Sequence, residues 1–303
     1  MDHQLDLCLR SQEHHGEEET QEKSSSWDNL VEEIKGITGY EFRNPSLLRQ
    51  AFTHCSYLDQ DKTSTASYER LEYIGDAVLG FFMAKEHYAM YPDLAPGQLT
   101  KLRAANVDNE KLARVALKCR LHTFLRHRKP LLAGQIKEFE DAIVEYPVHS
   151  SGLVDAPKTL ADIVESLVGA VYVDSNSMDT TCKDFSVGCI MDTIMRSSVS
   201  HEATVYSLIQ IIRTLLQPMI TPSTLHTHPV TMLYEICHKN KVKLESRDLW
   251  KETGEIEFIV DNEFVGRAKY RAKRVVANNR AANDAYHKIL RKLRLQNTRD
   301  DHH

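Results

Sequence analysis

The chain is 303 residues long, with a formal net charge of −5 and no apolar run long enough to span a bilayer. That length accommodates one large domain and one small one, each with its own core. Six cysteines (8, 55, 119, 182, 189 and 237) are scattered without a CxxC or a His-paired spacing. This points to reduced thiols in nucleus or cytoplasm, the nucleus slightly favoured, and away from a disulfide scaffold or a zinc site.

Residues 1–26 are acidic, polar and poor in apolar side chains, so disorder is expected there. They lack the apolar core of a secretory signal and are too acidic for an organelle transit peptide. From Trp27 to about Ser198 the chain reads as helical, with apolar residues at three- and four-residue spacing over 27–37, 45–54, 68–91, 98–106, 109–117, 158–174 and 181–196. Breaks fall at Gly36–Gly39, at YPDLAPG (91–97) and at YPVHSSGLVDAPK (146–158). Residues 199–226 are less regular and read as a linker. The pattern then changes. Residues 229–239 suit a helix, 243–250, 255–261 and 263–270 alternate as strands, and 274–293 form a long helix with Ala277, Ala281, Ala282 and Ala285 along one side. The expected fold class is therefore mainly α: an all-helical domain over 27–198, followed by a small α-β-β-β-α domain over 227–296. The small domain is rich in Lys and Arg, in contrast to the acidic N-terminus. Such asymmetry suggests a nucleic-acid partner, a solvated basic face being the commoner alternative.

Two helices carry acids among apolar residues. In YERLEYIGDAVLG (68–80), Glu69, Glu72 and Asp76 share one edge; in LADIVESLVGA (160–170), Asp162 and Glu165 stand one turn apart. A single carboxylate in such a place is usually solvated or paired, and Arg70 or Lys158 could serve as partner. Two pairs on two apolar helices are harder to explain that way, because buried like charges protonate or recruit a cation. If the helices pack together, oxygen donors without His or Cys suit Mg²⁺ or Mn²⁺, ions that serve phosphodiester chemistry.

These stretches resemble the ribonuclease III family. YERLEYIGDAVLG is similar to the family's signature motif and PKTLADIVESLVGAVYVD to its second acidic motif, with YEFRNPSLLRQAFTHCSY (40–57) and LTKLRAANVDNEKLARVA (99–116) agreeing in order and spacing. The resemblance covers about residues 27–175, and one such domain followed by one basic domain looks most like the plant ribonuclease III-like proteins. It implies that Glu72, Asp76, Asp162 and Glu165 form a metal-binding quartet, with Asp76 and Glu165 catalytic. Glu69 and Lys158 would be auxiliary. It also implies a homodimer that cuts double-stranded RNA into products with short 3′ overhangs; no membrane is expected as a partner, because the chain lacks a long apolar run. Close packing at the dimer seam is the expected reason for Gly75 within a helix, where glycine costs about 1 kcal/mol. An acidic residue that the bacterial pattern carries before Gly97 is replaced here by APG. The alternative is a non-catalytic adaptor that binds double-stranded RNA on the same fold, for which loss of a ligand would be expected.

The small domain resembles the double-stranded-RNA-binding domain through its element order, Glu235 and the alanine ladder. Its KKxAK-like motif is incomplete: Arg274 fills the first position, Val275 and Asn278 the others. Arg267, Lys269, Arg271 and Lys273 alternate, and on a strand they would form one basic face for RNA phosphates, with Arg274 beside it; the alternative is a domain that serves as a dimer or partner contact.

Overall fold

A computed structural model of the chain describes residues 29–58, 66–175 and 208–300. The expected disorder of 1–26 and the helix expected over 181–196 lie outside these residues. Helix α1 (29–38) ends at Gly39, whose φ of +69° lets its N–H return to Lys35 O at 2.8 Å. Helix α2 (Pro45–Ala51) has Asn44 as cap and Pro at its first turn. Helices α3 (Glu69–Met90), α4 (Pro96–Val107), α5 (Asn109–Lys118) and α7 (Lys158–Asp174) match the sequence reading to within two residues. Helix α6 (Leu132–Ile143) was not among the expected segments, although Leu132, Ile136, Phe139 and Ile143 recur at helical spacing.

The chain divides into two compact units. The first comprises Met1–Met83, Val115–Arg128 and Asp162–Gln217. From Asp162 to Tyr172 every residue of α7 is buried, the two acids included. At its end the buried carboxylate of Asp174 accepts from Tyr40 OH and from the backbone N–H groups of Arg43 and Asn44, each at 2.8 Å. Part of the expected linker is a helix: residues 208–215 form α8, with Leu208, Ile211, Ile212 and Leu215 buried. Their spacing is that of an amphipathic helix, and the Pro and Thr of the following segment had masked it.

The second unit comprises Ala84–Arg114, Lys129–Ala161 and Pro218–His303. It holds the small domain: α9 (Pro229–Lys239), strands β1 (Leu244–Leu249), β2 (Glu255–Val260) and β3 (Glu263–Lys269), and α10 (Arg274–Asp300). The sheet is antiparallel in the order β1-β2-β3, and Asp261 and Asn262, both at positive φ, make the two-residue turn between β2 and β3. Ala277, Ala281, Ala282 and Ala285 are fully buried against Leu233, Cys237, Ile256 and Phe258. Small side chains bring helix and sheet close together. A Cβ on Gly266 would stand 2.4 Å from Ala285 N.

Also in this unit, Glu110 is buried, accepts from both Nε and Nη2 of Arg114, and accepts from Ser150 N at 2.7 Å and from Ser150 Oγ. That carboxylate anchors the segment leading towards α7.

Candidate metal centre

All members of the candidate centre belong to the first unit, and a helix crossing sets their spacing. A Cβ on Gly75 of α3 would lie 1.8 Å from Glu165 O, and one on Gly169 of α7 would lie 2.1 Å from Leu71 O. Neither overlap is tolerable, so only glycine permits this approach of two backbones. The reason for Gly75 thus lies within the chain, in the contact of α3 with α7, where the sequence reading had placed it at a dimer seam. Of the neighbouring phenylalanines, Phe82 is buried in the chain and Phe81 is half exposed.

The crossing brings three of the four expected ligands together. Carboxylate oxygens of Glu72, Asp162 and Glu165 all lie within 4.8 Å of one another, and Asp162 and Glu165 are buried. Two unit charges at that distance repel by on the order of 3 kcal/mol at an effective dielectric constant of about 20. A hard divalent cation fits this donor set: oxygen only, closely spaced and largely buried. Asp76, one turn beyond Glu72, is exposed and is not part of the converging group. Glu69 is exposed too and accepts from Ser67 Oγ at 3.1 Å. Lys158 opens α7 and is exposed; beside it Thr159 Oγ1 accepts from Lys129 Nζ at 2.8 Å.

Tyr68 is the participant that sequence reasoning missed. It is 3% exposed, its ring meets His54 edge to face at 5.6 Å, and its OH donates to Asp162 Oδ2 at 3.0 Å. Burial, then the charge and hydrogen bond of Asp162, then the charges of Glu72 and Glu69 push the phenol far above its ordinary pKa. It therefore stays protonated and can only donate to the carboxylate. The available signal was its place directly before Glu69, but an aromatic residue opening an apolar helix reads as core.

The expected basic strand is not continuous. β3 ends at Lys269, so Arg271 and Lys273 lie in the connection to α10 and do not extend a strand face. Arg267 pairs with Glu255 (2.9 Å) and with the buried Glu257 (2.8 Å), which also receives Arg247 from β1 at 3.5 Å. Lys273 pairs with Asp155 at 3.1 Å, and Arg274 with Asp248 at 2.6 Å. Alternation along the sequence could not reveal the break, because the strand gives way to the helix at Tyr270–Lys273.

Residues 69–176 match the model of the ribonuclease III domain. The chain is 42% identical over 265 residues to Ribonuclease 3-like protein 3 of Oryza sativa subsp. japonica, covering 87% of this chain and 79% of that protein. It is 38% identical over 275 residues to Ribonuclease 3-like protein 2 of Arabidopsis thaliana, covering 88% of this chain and 61% of that one. Over 257 residues it is 37% identical to Endoribonuclease Dicer homolog 1 of Oryza sativa subsp. japonica, covering 82% of this chain but 12% of that protein. The chain belongs to the ribonuclease III family.

Proposed function

We propose that this protein is a divalent-metal-dependent endoribonuclease that hydrolyses phosphodiester bonds of double-stranded RNA. The observation that carries the reading is the convergence of half-buried Glu72 with buried Asp162 and Glu165, from two helices held together by facing glycines. Mg²⁺ or Mn²⁺, when bound, supplies a Lewis acid that makes water nucleophilic at neutral pH and neutralises charge on the phosphate. In this reading the three carboxylates hold the ion, and Tyr68 fixes the rotamer of Asp162 through its hydroxyl. Asp76 stands at the exposed edge, where the phosphodiester would arrive.

The small domain is proposed to be a double-stranded-RNA-binding domain, supported by its element order and its alanine-packed helix. A homodimer is proposed through α3, whose Tyr73, Phe81 and Tyr88 are exposed at seven- and eight-residue spacing, one side of a helix. The names of the plant relatives agree with a ribonuclease. The test is cleavage of a long perfect RNA duplex with and without Mg²⁺, using wild type and Glu165→Ala. Mg²⁺-dependent cutting by wild type alone is expected. Cutting by Glu165→Ala at the wild-type rate would overturn the assignment.

A further inference from the structure

The basic approach to α10 is already occupied by an anion of the same unit. Asp155, three residues before α7, accepts from Lys273 Nζ at 3.1 Å through one carboxylate oxygen and from Tyr270 OH at 3.2 Å through the other. Arg280 lies over the Tyr270 ring at 4.6 Å and donates through Nε to Leu153 O at 2.8 Å. Asn279, buried, donates to Gly152 O at 2.9 Å, and Gly152 is at φ +87° with no room for a Cβ beneath Asn279. Further along the same helix, Arg280, His287 and Arg291 line one groove with Glu138 and Asp141 of α6 and with Glu145 just beyond its end. Burial and the charge of Asp155 push the Tyr270 phenol up to about 12, so at neutral pH it is a donor. An ammonium and a phenol on one carboxylate, with a guanidinium stacked over the phenol ring, are equally a donor set for a phosphate.

We propose that this flank of α10 is a nucleic-acid backbone site held shut by an internal phosphate mimic, with Asp155 as its latch. RNA phosphates displace the Asp155 carboxylate and take the donors of Lys273 and Tyr270; the 150–157 segment loosens around Asp155 while its buried anchor, Ser150 on Glu110, stays in place. The latch is built to exchange: Lys273 is 47% and Asp155 22% exposed at the side chain, so their ion pair is screened and weak. The ligand commitment rests on the double-stranded-RNA reading above.

The experiment is a binding titration of the full chain with duplex RNA in chelator, so that no strand is cut, at several salt concentrations. Asp155→Asn should bind about two- to fivefold more tightly than wild type, with a salt slope steeper by about one. Adding Lys273→Ala to Asp155→Asn should remove the gain. In unmodified protein, amides of 150–157 should exchange hydrogen faster once duplex is added. Binding of Asp155→Asn equal to or weaker than wild type, or slower exchange at 150–157, overturns the latch. Competition by polyglutamate as effective as RNA at equal charge overturns the nucleic-acid assignment. Cleavage scored in Mg²⁺ on the same preparations separates the two readings. A chain that cuts duplex while Asp155→Asn binds as wild type refutes the latch alone. A chain that never cuts, but gains affinity through Asp155→Asn, supports the latch and refutes the endoribonuclease.

Discussion

Tyr68→Phe removes one oxygen from the candidate centre and nothing else. The ring remains, with its edge-to-face contact to His54 and its burial, so no cavity forms. Lost is the 3.0 Å donation to Asp162 Oδ2. A hydrogen bond to a charged group contributes about 1.5–3 kcal/mol, and in the ion-free chain this one also offsets part of the repulsion among three clustered carboxylates. The melting midpoint should therefore fall by about 2–4 °C for each kcal/mol lost. Asp162 would also gain rotational freedom that cation binding must then remove. Loss of a group that orients a ligand typically weakens metal binding or activity about 10- to 100-fold. The direct assay is Mn²⁺ binding followed by electron paramagnetic resonance, paired with a Mg²⁺ titration of duplex cleavage. Both midpoints should move to higher metal by about tenfold or more, with the maximal rate approached at saturating ion. Unchanged or tighter Mn²⁺ binding would refute the orienting role, whatever happens to the rate.

Three further outcomes are expected. Glu165→Gln should abolish cleavage and raise the melting midpoint in chelator, because it relieves repulsion on the order of 3 kcal/mol per close pair; thermal scans with and without Mn²⁺ check this, and a lower midpoint in chelator would contradict it. His87 is buried, its Nδ1 has no hydrogen-bond partner, and burial holds its imidazole below the ordinary value. Its folded-state pKa is thus below its unfolded one, so its stabilisation is complete above about pH 6.5 and declines as pH falls, by at most about 1.4 kcal/mol per pH unit. Scans from pH 7.5 to 5 should show a smaller drop for His87→Leu than for wild type, and parallel curves would be a failure. Phe81→Lys with Tyr73→Lys should give a monomer by sedimentation, since Tyr73 is exposed and Phe81 half exposed on the proposed dimer face; a persisting dimer would place the interface elsewhere.

Much of the fold was legible because periodicity is local. α3, α4, α5, α7 and the small domain's strands each carry their own pattern, and some boundaries fall at a Pro, as at Pro96, which opens α4, and Pro157 before α7. α8 escaped because its apolar spacing is short and runs into a Pro- and Thr-rich segment. The acidic residues were visible through the contradiction between charge and apolar surroundings. Which of them converge depends on a distance between helices that spacing within one helix cannot supply. Asp76 satisfies the helical period as well as Glu72 does, and only the crossing at Gly75 and Gly169 separates their positions. The basic residues misled for a related reason. Alternation implies a face only while the strand lasts, and β3 stops at Lys269.

The glycine crossing and the acidic cluster form one device. Each glycine costs about 1 kcal/mol within its helix. Without both, the backbones of α3 and α7 would have to separate, because the hypothetical Cβ overlaps are with main-chain atoms that have no rotamer to yield. Glu72 would then move away from Asp162 and Glu165, and a divalent ion could not bridge them. The close approach also brings carboxylates into mutual repulsion, so the ion-free fold carries a backbone cost and an electrostatic one at the same place. Burial on both sides offsets them. Ile163, Val164, Leu167, Val168 and Val171 of α7 are all fully buried, and a side chain of that kind contributes about 1.5–3 kcal/mol. The first unit thus has stability to hold three acids together, and a cation that removes their repulsion should stabilise it further. This explains why two of the three acids, Asp162 and Glu165, sit on the buried helix α7: a solvated helix would let them drift from Glu72 and would hold no cation between them.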